Sequence, residues 1–463
     1  MIKARWVAAR PLFGSGLNMK TTIEHRTAII IDHQDELERR TVRKLLIYLV
    51  SFLGICYVTN LLDRFNLGYA SLEMNKDLSL SPSQFGFAAG IFFVGYLCAE
   101  LPSNMMLMRY GARVWLARIM VTWGIASSLT AFVHDAQSFY IIRFILGVAE
   151  AGFLPGVMLF LAVWVPAKHR SKAILLFFSL GQLAALLGPI FSAWILSGTG
   201  GLGFKNWQLM FVLEAIPTVI LGVVLFFRLP DSPKQAKWLA PDERQWLIEA
   251  LEKDSAGKCC AKEGSVFDGL RSLRVWALFL AKFANGLASF SVALWFPQIV
   301  RHSSELGILQ TGLVVALPSI LTIPLMWIVG NYSDRSGNRI VHAAVALFIC
   351  ATCSVLAALT GETLTSIAFV GVASISAVVA TGITWAIAPS VVSGRAAAAG
   401  FAIINAGGIL AGFAGGYVIG LLREWHGNFN SGFFFVAAVC LIGAFAVLSL
   451  HFTGSKQMAR VAH

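Results

Sequence analysis

The chain reads as an all-α membrane protein of twelve transmembrane helices arranged as two six-helix repeats. Three observations predict this: a shortage of charge, twelve apolar runs of spanning length, and basic loops that recur at one offset. Of 463 residues, 57% are hydrophobic and 13% charged, whereas a water-facing surface calls for about 25% charged residues. The outer surface is therefore expected to be lipid. At roughly 20 apolar residues per crossing, the chain has room for twelve spans with short connections.

The apolar runs lie near 44–70, 85–108, 113–133, 138–164, 171–197 and 207–228, then near 275–300, 308–330, 340–360, 364–392, 396–422 and 431–453. Backbone in hydrocarbon must satisfy its own hydrogen bonds, so each run is read as a helix. The expected organisation is a cytosolic tail over 1–43, a six-helix bundle over 44–228, a cytosolic middle loop over 229–273, a second six-helix bundle over 274–453 and a cytosolic tail over 454–463. Residues 1–43 are polar, with no apolar segment of a secretory signal, and are read as a disordered tail. Met19 is an alternative start, because residues 1–18 differ in character from the rest of the chain.

The formal net charge of +12 raises nucleic acid as a partner, but the placement of the charge argues against it. With the N-terminus inside, 29 of the 36 Lys and Arg fall on the inner side, four outside (Lys76, Lys205, Arg301, Arg423) and three within spans. That asymmetry is the one membrane orientation requires, and it predicts cytoplasmic termini. The seven cysteines form no metal spacing or disulfide framework, and no cofactor is expected. Among them, Cys259 and Cys260 are adjacent in the middle loop and the others fall in apolar runs.

Arg109-Tyr110-Gly111-Ala112-Arg113 after span 2 and Arg335-Ser336-Gly337-Asn338-Arg339 after span 8 lie 226 residues apart, and Arg170 and Arg395 lie 225 apart. Two anchors near half the chain length imply a duplicated unit, the plan of transporters whose halves rock about a midplane site. Gly408, Gly412, Gly416 and Gly420 form a stripe at i+4 along span 11, which lets another backbone approach closely. Pro155, Pro189, Pro318 and Pro324 lie inside spans, where neighbours must satisfy the freed carbonyls.

A charge at mid-bilayer costs about 2.5–3.5 kcal/mol on insertion scales, so those that persist point to function. Span 1 carries Asp63 and Arg64, span 4 Arg143 and Glu150, span 7 Lys282. At ~1.5 Å per residue, Asp63 and Arg143 lie at matching depth, with Glu150 two turns deeper on the face of Arg143. This reads as a ladder of alternating charge in which Asp63 and Glu150 are the only deep acids of the N-terminal half. Arg presents a planar fork that fits a carboxylate. A substrate competing for that fork would release an acid to take a proton, so anion and proton would bind cooperatively. A structural ion-pair network is the competing reading. Lys282, ~13 Å from the inner end of span 7, either contacts substrate or snorkels its amine toward that surface.

The run Asn60-Leu61-Leu62-Asp63-Arg64-Phe65-Asn66-Leu67-Gly68 resembles the anion:cation symporter family of the major facilitator superfamily. So do Pro102-Ser103-Asn104 with the 109–113 loop, the stretch from Arg143 to Gly156, the stretch from Phe211 to Thr218, Leu229-Pro230-Asp231-Ser232-Pro233, Trp295-Phe296-Pro297-Gln298 and Ser333-Asp334-Arg335. The likeness implies the major facilitator fold and uptake of a small organic anion with protons. It also implies roles: Asp63 and Glu150 as proton carriers, Arg64 on the substrate carboxylate and Arg143 as partner of the acids. Tyr96, Gln182, Trp385 and Asn405 match cavity-lining positions, while Arg109, Gly111, Arg113, Asp334, Arg335, Gly337 and Arg339 match the gating loops. Leu61, where many members have Tyr, and Lys282, at an uncharged position, depart from the pattern and weigh against a monocarboxylate sugar acid. Lys282 favours an anion with two acidic ends.

The first outer loop is short and lacks an Asn-x-Ser/Thr site, which favours a bacterial inner membrane. A monomer is expected. Anion exchange needs no membrane acid, a sensor would carry a soluble appendage, and an enzyme would need a nucleophile, metal or nucleotide motif. Phosphate esters stay open as substrates, since Arg binds phosphate too.

Overall fold

The computed structural model describes residues 34–198, 203–256, 271–361, 363–391 and 396–461, with the side chains of 255–256, 334, 396–399 and 452–461 left aside. Arg395, Cys259, Cys260 and Met19 lie outside the described residues. Twelve helices are long and apolar enough to span: α1 Gln34–Asp77, α2 Pro82–Tyr110, α3 Ala112–Phe132, α4 Ala136–Trp164, α5 Ala167–Leu196 and α6 Asn206–Arg228. The second six are α7 Leu273–Ser303, α8 Ile308–Ser336, α9 Arg339–Thr360, α10 Leu364–Val391, α11 Ala396–His426 and α12 Asn430–Val461.

The packing repeats with the sequence. In the first six, α1 packs on α5, α2 on α4 and α3 on α6; in the last six, α7 packs on α11, α8 on α10 and α9 on α12. Each of these three pairings recurs six helices on, so the chain folds as two pseudo-repeats. The repeats meet through α2 with α11, α5 with α8 and α1 with α7. Glycines carry this seam. A Cβ on Gly416 would lie 2.8 Å from Gly86 O, Gly420 packs on Pro82, and Gly412 seats the ring of Phe93. The stripe on α11 is thus the close approach to α2, except Gly408, which meets the stem of Lys282 on α7 instead. The seam contacts run from Ser81 and Ser83 with Glu424 to Asn405 with Glu100. Beyond that point α2 presents exposed Leu101, Met105 and Met108. The repeats therefore splay apart toward the face of the basic loops 109–113 and 335–339.

Two expectations about the helices need correction. The tail is helical from Gln34, because its charges find partners: Lys168 and His169 meet Glu38 at 2.6 and 2.7 Å, and Lys44 meets Glu243 at 2.6 Å on a surface helix, Pro241–Ala256, inside the middle loop. The last helix continues to Val461, and its apolar part, Asn430–His451, matches the run read near 431–453. Span 4 is not one rod. It breaks between Glu150 and Phe153 at Gly152, whose φ of +89° only glycine adopts without strain. Ser103 of α2 donates to Ala151 O at 2.6 Å, so the irregular backbone is satisfied by protein rather than exposed to lipid.

Candidate functional site

Helix α1 turns about 100° per residue, so adjacent Asp63 and Arg64 leave it on different sides. Arg64 reaches α4: its Nε donates to Glu150 Oε1 at 3.1 Å, and its Nη2 is bonded to the same oxygen. Asn60, one turn earlier, donates to that oxygen at 2.7 Å. Glu150 is fully buried, and its second oxygen has no hydrogen-bond partner. The guanidinium of Arg64 lies 5.4 Å from the Phe92 ring and 5.6 Å from the Tyr96 ring. Arg143 sits over the same Phe92 at 5.0 Å. Two small residues bring α2 and α4 together for this: Gly95 packs on Phe144 and Gly147 on the backbone of Phe92 and Tyr96.

Asp63 turns inward to α3, where Ser127 donates to its Oδ1 and Oδ2 is left unpartnered. The ladder read from depth alone is thus rearranged. Arg64, expected on the substrate carboxylate, holds Glu150; Arg143, expected to partner the acids, stands close enough to Asp63 and Glu150 for their charges to act on it, but stacks on Phe92 and its Nε has no hydrogen-bond partner. Depth along a helix axis cannot distinguish these pairings, because they are decided by azimuth. The count of acids is also corrected. Glu100 on α2 accepts from Asn405 at 3.1 Å and Glu214 on α6 accepts from Ser192 at 2.7 Å, each well inside its helix. Their places within the second and sixth apolar runs were the available signal.

In the second repeat, Lys282 Nζ lies 5.3 Å from the ring of Trp385, which stacks on Phe401. The amine is therefore directed across to α10 rather than along its own helix. Tyr96 and Glu100 lie one turn apart on α2, and Asn405 and Gly408 lie on one face of α11. The structure thus brings Arg64 and Tyr96 together in the first repeat and Lys282 and Trp385 together in the second, and Asn405 joins the repeats through Glu100. Gln182 is half-buried on α5, and no described hydrogen bond joins it to this group.

The two basic loops differ in detail. Gly111 (φ +83°) and Gly337 (φ +69°) each make the turn between consecutive helices. Arg109 stacks on Tyr110, and Arg113 pairs with Asp231 at 3.1 Å. Arg339 donates to Ala386 O at 3.3 Å, and Arg335 is exposed. The side chain of Asp334 lies outside the described residues.

Two repeats meeting at a charged seam is the architecture of one large transporter family, and the model of that family, the Major Facilitator Superfamily, matches residues 53–403. The chain belongs to the major facilitator superfamily. Within the superfamily it groups with anion:cation symporter-like transporters. A protein of Agrobacterium vitis, provisionally named a tartrate transporter, is 40% identical over 92% of this chain and 98% of its own length. The inner membrane transport protein RhmT of Escherichia coli is 30% identical over 91% of this chain and 98% of its own. The inward-open xylose transporter XylE of E. coli shares the fold, with a TM-score of 0.69 at 14% identity over 87% of this chain and 96% of that one. This major facilitator is accordingly a multi-pass membrane transporter and not an enzyme.

Proposed function

We propose that this transporter takes up a small organic anion together with protons across a bacterial inner membrane, with both termini in the cytoplasm. The observation that carries the reading is the buried Arg64–Glu150 pair, in which one glutamate oxygen takes every donor and the other takes none. Breaking a buried pair by removing its cation costs about 3–5 kcal/mol. A substrate carboxylate that draws the Arg64 fork leaves Glu150 with that penalty, and protonation relieves it. Anion and proton are then taken together, and release of either favours release of the other.

Several features support a carboxylate. The guanidinium offers two parallel donors, the rings of Phe92 and Tyr96 hold its plane, and a relative at 40% identity carries the tartrate name. Lys282 at the seam supports a second acidic end, since a monoanion would leave one cation unmatched. The two bundles, 44–228 and 274–453, act in this reading as rocking halves, open to the cytoplasm in the state described. The excess of Lys and Arg on the splayed face supports that orientation.

The test is Glu150→Gln in proteoliposomes, with tartrate and a panel of carboxylates and phosphate esters as competitors. Proton-driven accumulation should be lost while counterflow, which moves no net proton, persists. Full pH-driven accumulation in the variant would remove Glu150 from the coupling, and competition by phosphate esters alone would replace the carboxylate.

A further inference from the structure

The Arg64 side of α1 faces the seam, but its other side faces a second polar cluster that the Arg64–Glu150 coupling does not use. Asn66, fully buried, has neither side-chain atom in a hydrogen bond. It nevertheless lies close enough to Asp63 and Glu214 to act on both. Each of these carboxyls accepts one serine hydroxyl, from Ser127 on α3 and Ser192 on α5, and each keeps one buried oxygen without a partner. Four orphaned polar atoms thus converge inside the first repeat, enclosed by α1, α3, α5 and α6.

The charged groups around this cluster are few. The charge that acts on Glu214 is that of Asp63, and those that act on Asp63 are Glu150 and Arg143. The described neighbours from α3 and α5 are hydroxyls. No cation pairs with Glu214 among the described residues, and an ionised carboxylate buried without one is too costly to persist. The neutral acid, which can donate as well as accept, fits the site.

Depth orders the groups. Trp207 donates to Asp77 at 2.6 Å, so the start of α6 and the end of α1 share one level. From that level Glu214 lies about 11 Å down, Asn66 about 16 Å and Asp63 about 21 Å at 1.5 Å per residue. Asn66 thus stands between the two acids in depth, and an amide with a free donor and a free acceptor can bond a carboxyl on either side.

We propose that Glu214, with Asn66, forms a second proton-binding site behind α1, separate from the substrate seam, that exchanges its proton with Asp63. In the exchange the Glu214 O–H bond breaks and an O–H bond forms on Asp63, with the amide of Asn66 between them accepting from whichever acid holds the proton. Glu214 is left as the carboxylate and refills from the side of the α5–α6 connection. The site deepens the symport reading and rests on it for its role in transport, although its protonation can be measured without substrate.

The experiment is an infrared pH titration of the purified full-length protein, read at the protonated-carboxyl stretch. Wild type should hold a protonated carboxyl through neutral pH that Glu214→Gln removes and Glu214→Asp keeps, and Asp63→Asn should move its titration midpoint. An unchanged band in Glu214→Gln overturns the site, and an unmoved midpoint in Asp63→Asn overturns the exchange. In proteoliposomes with tartrate, protons taken up per substrate should fall in Glu214→Gln, with counterflow retained. An unchanged ratio overturns the site while leaving symport by Glu150 intact; no proton movement in wild type overturns the symport reading and the transport role together. Should Glu214→Gln fail to fold, carbodiimide labelling of wild type decides: modification at Glu214 supports the protonated acid, and its absence refutes it.

Discussion

The two repeats share helix pairings and loop glycines but not chemistry. Inside the first, α1, α2, α4 and α6 carry Asp63, Glu100, Glu150 and Glu214 with Arg64 and Arg143. Inside the second, Lys282 of α7 is the charge set against the seam, with Trp385 as its described partner. Duplication preserved what the membrane demands of packing, namely small residues where backbones meet and positive-φ glycines where helices turn. It did not preserve buried charge, because each such charge needs partners on two or three helices at once. Among the described residues the first repeat holds most of the buried charge.

Four experiments would break or sharpen that contrast. The largest effect is expected at the ion-bearing repeat. Arg64→Lys keeps the charge but loses the planar fork, at a cost of ~1.5–3 kcal/mol for charge-assisted bonds, or roughly ten- to hundredfold in affinity for the proposed carboxylate substrate. Counterflow titration measures it, and an unchanged affinity would place the anion elsewhere. Next comes the seam itself. Gly416→Val drives a side chain into Gly86 O, and overpacking of this kind costs about 1–3 kcal/mol. Gly330, with open space around it, should accept Ala with no change in thermal stability. Equal tolerance at both positions would mean that α2 and α11 do not rely on close approach.

At the second repeat, Lys282→Gln should lower affinity for a dicarboxylate about tenfold, ~1.4 kcal/mol, while a matched monocarboxylate changes little. A dicarboxylate preference that survives intact would leave Lys282 to its contact with Trp385. The smallest effect belongs to the loops. Asp231→Asn removes a partly exposed pair worth less than about 1 kcal/mol, so thermal stability should hardly move. A large shift in the balance of open and closed states, read by cross-linking across the basic face, would show that Arg113 uses this pair as a latch.

The twelve spans, their duplication and the family were legible in the chain because each rests on one-dimensional quantities: run length, loop charge and a constant offset between motifs. Backbone in lipid has few options, so an apolar run of sufficient length is a helix. The break at Gly152 was not legible, since it depends on Ser103 of α2 standing ready to take the Ala151 carbonyl. Nor was the helix through Glu38, which the start of α5 holds by Lys168 and His169.

For the site, residue identities could be read but partnerships could not. Sequence spacing gives depth at 1.5 Å per residue, and depth alone set Asp63 level with Arg143. Which groups meet depends on the rotation of each helix about its axis and on its neighbours. Only the tertiary structure turned Arg64 toward Glu150, Asp63 toward Ser127 and Asn405 toward Glu100. Charge inside a membrane is specified along the chain, but its pairing is specified by packing, because an ion pair a few ångströms across is decided by the angle at which two helices face each other.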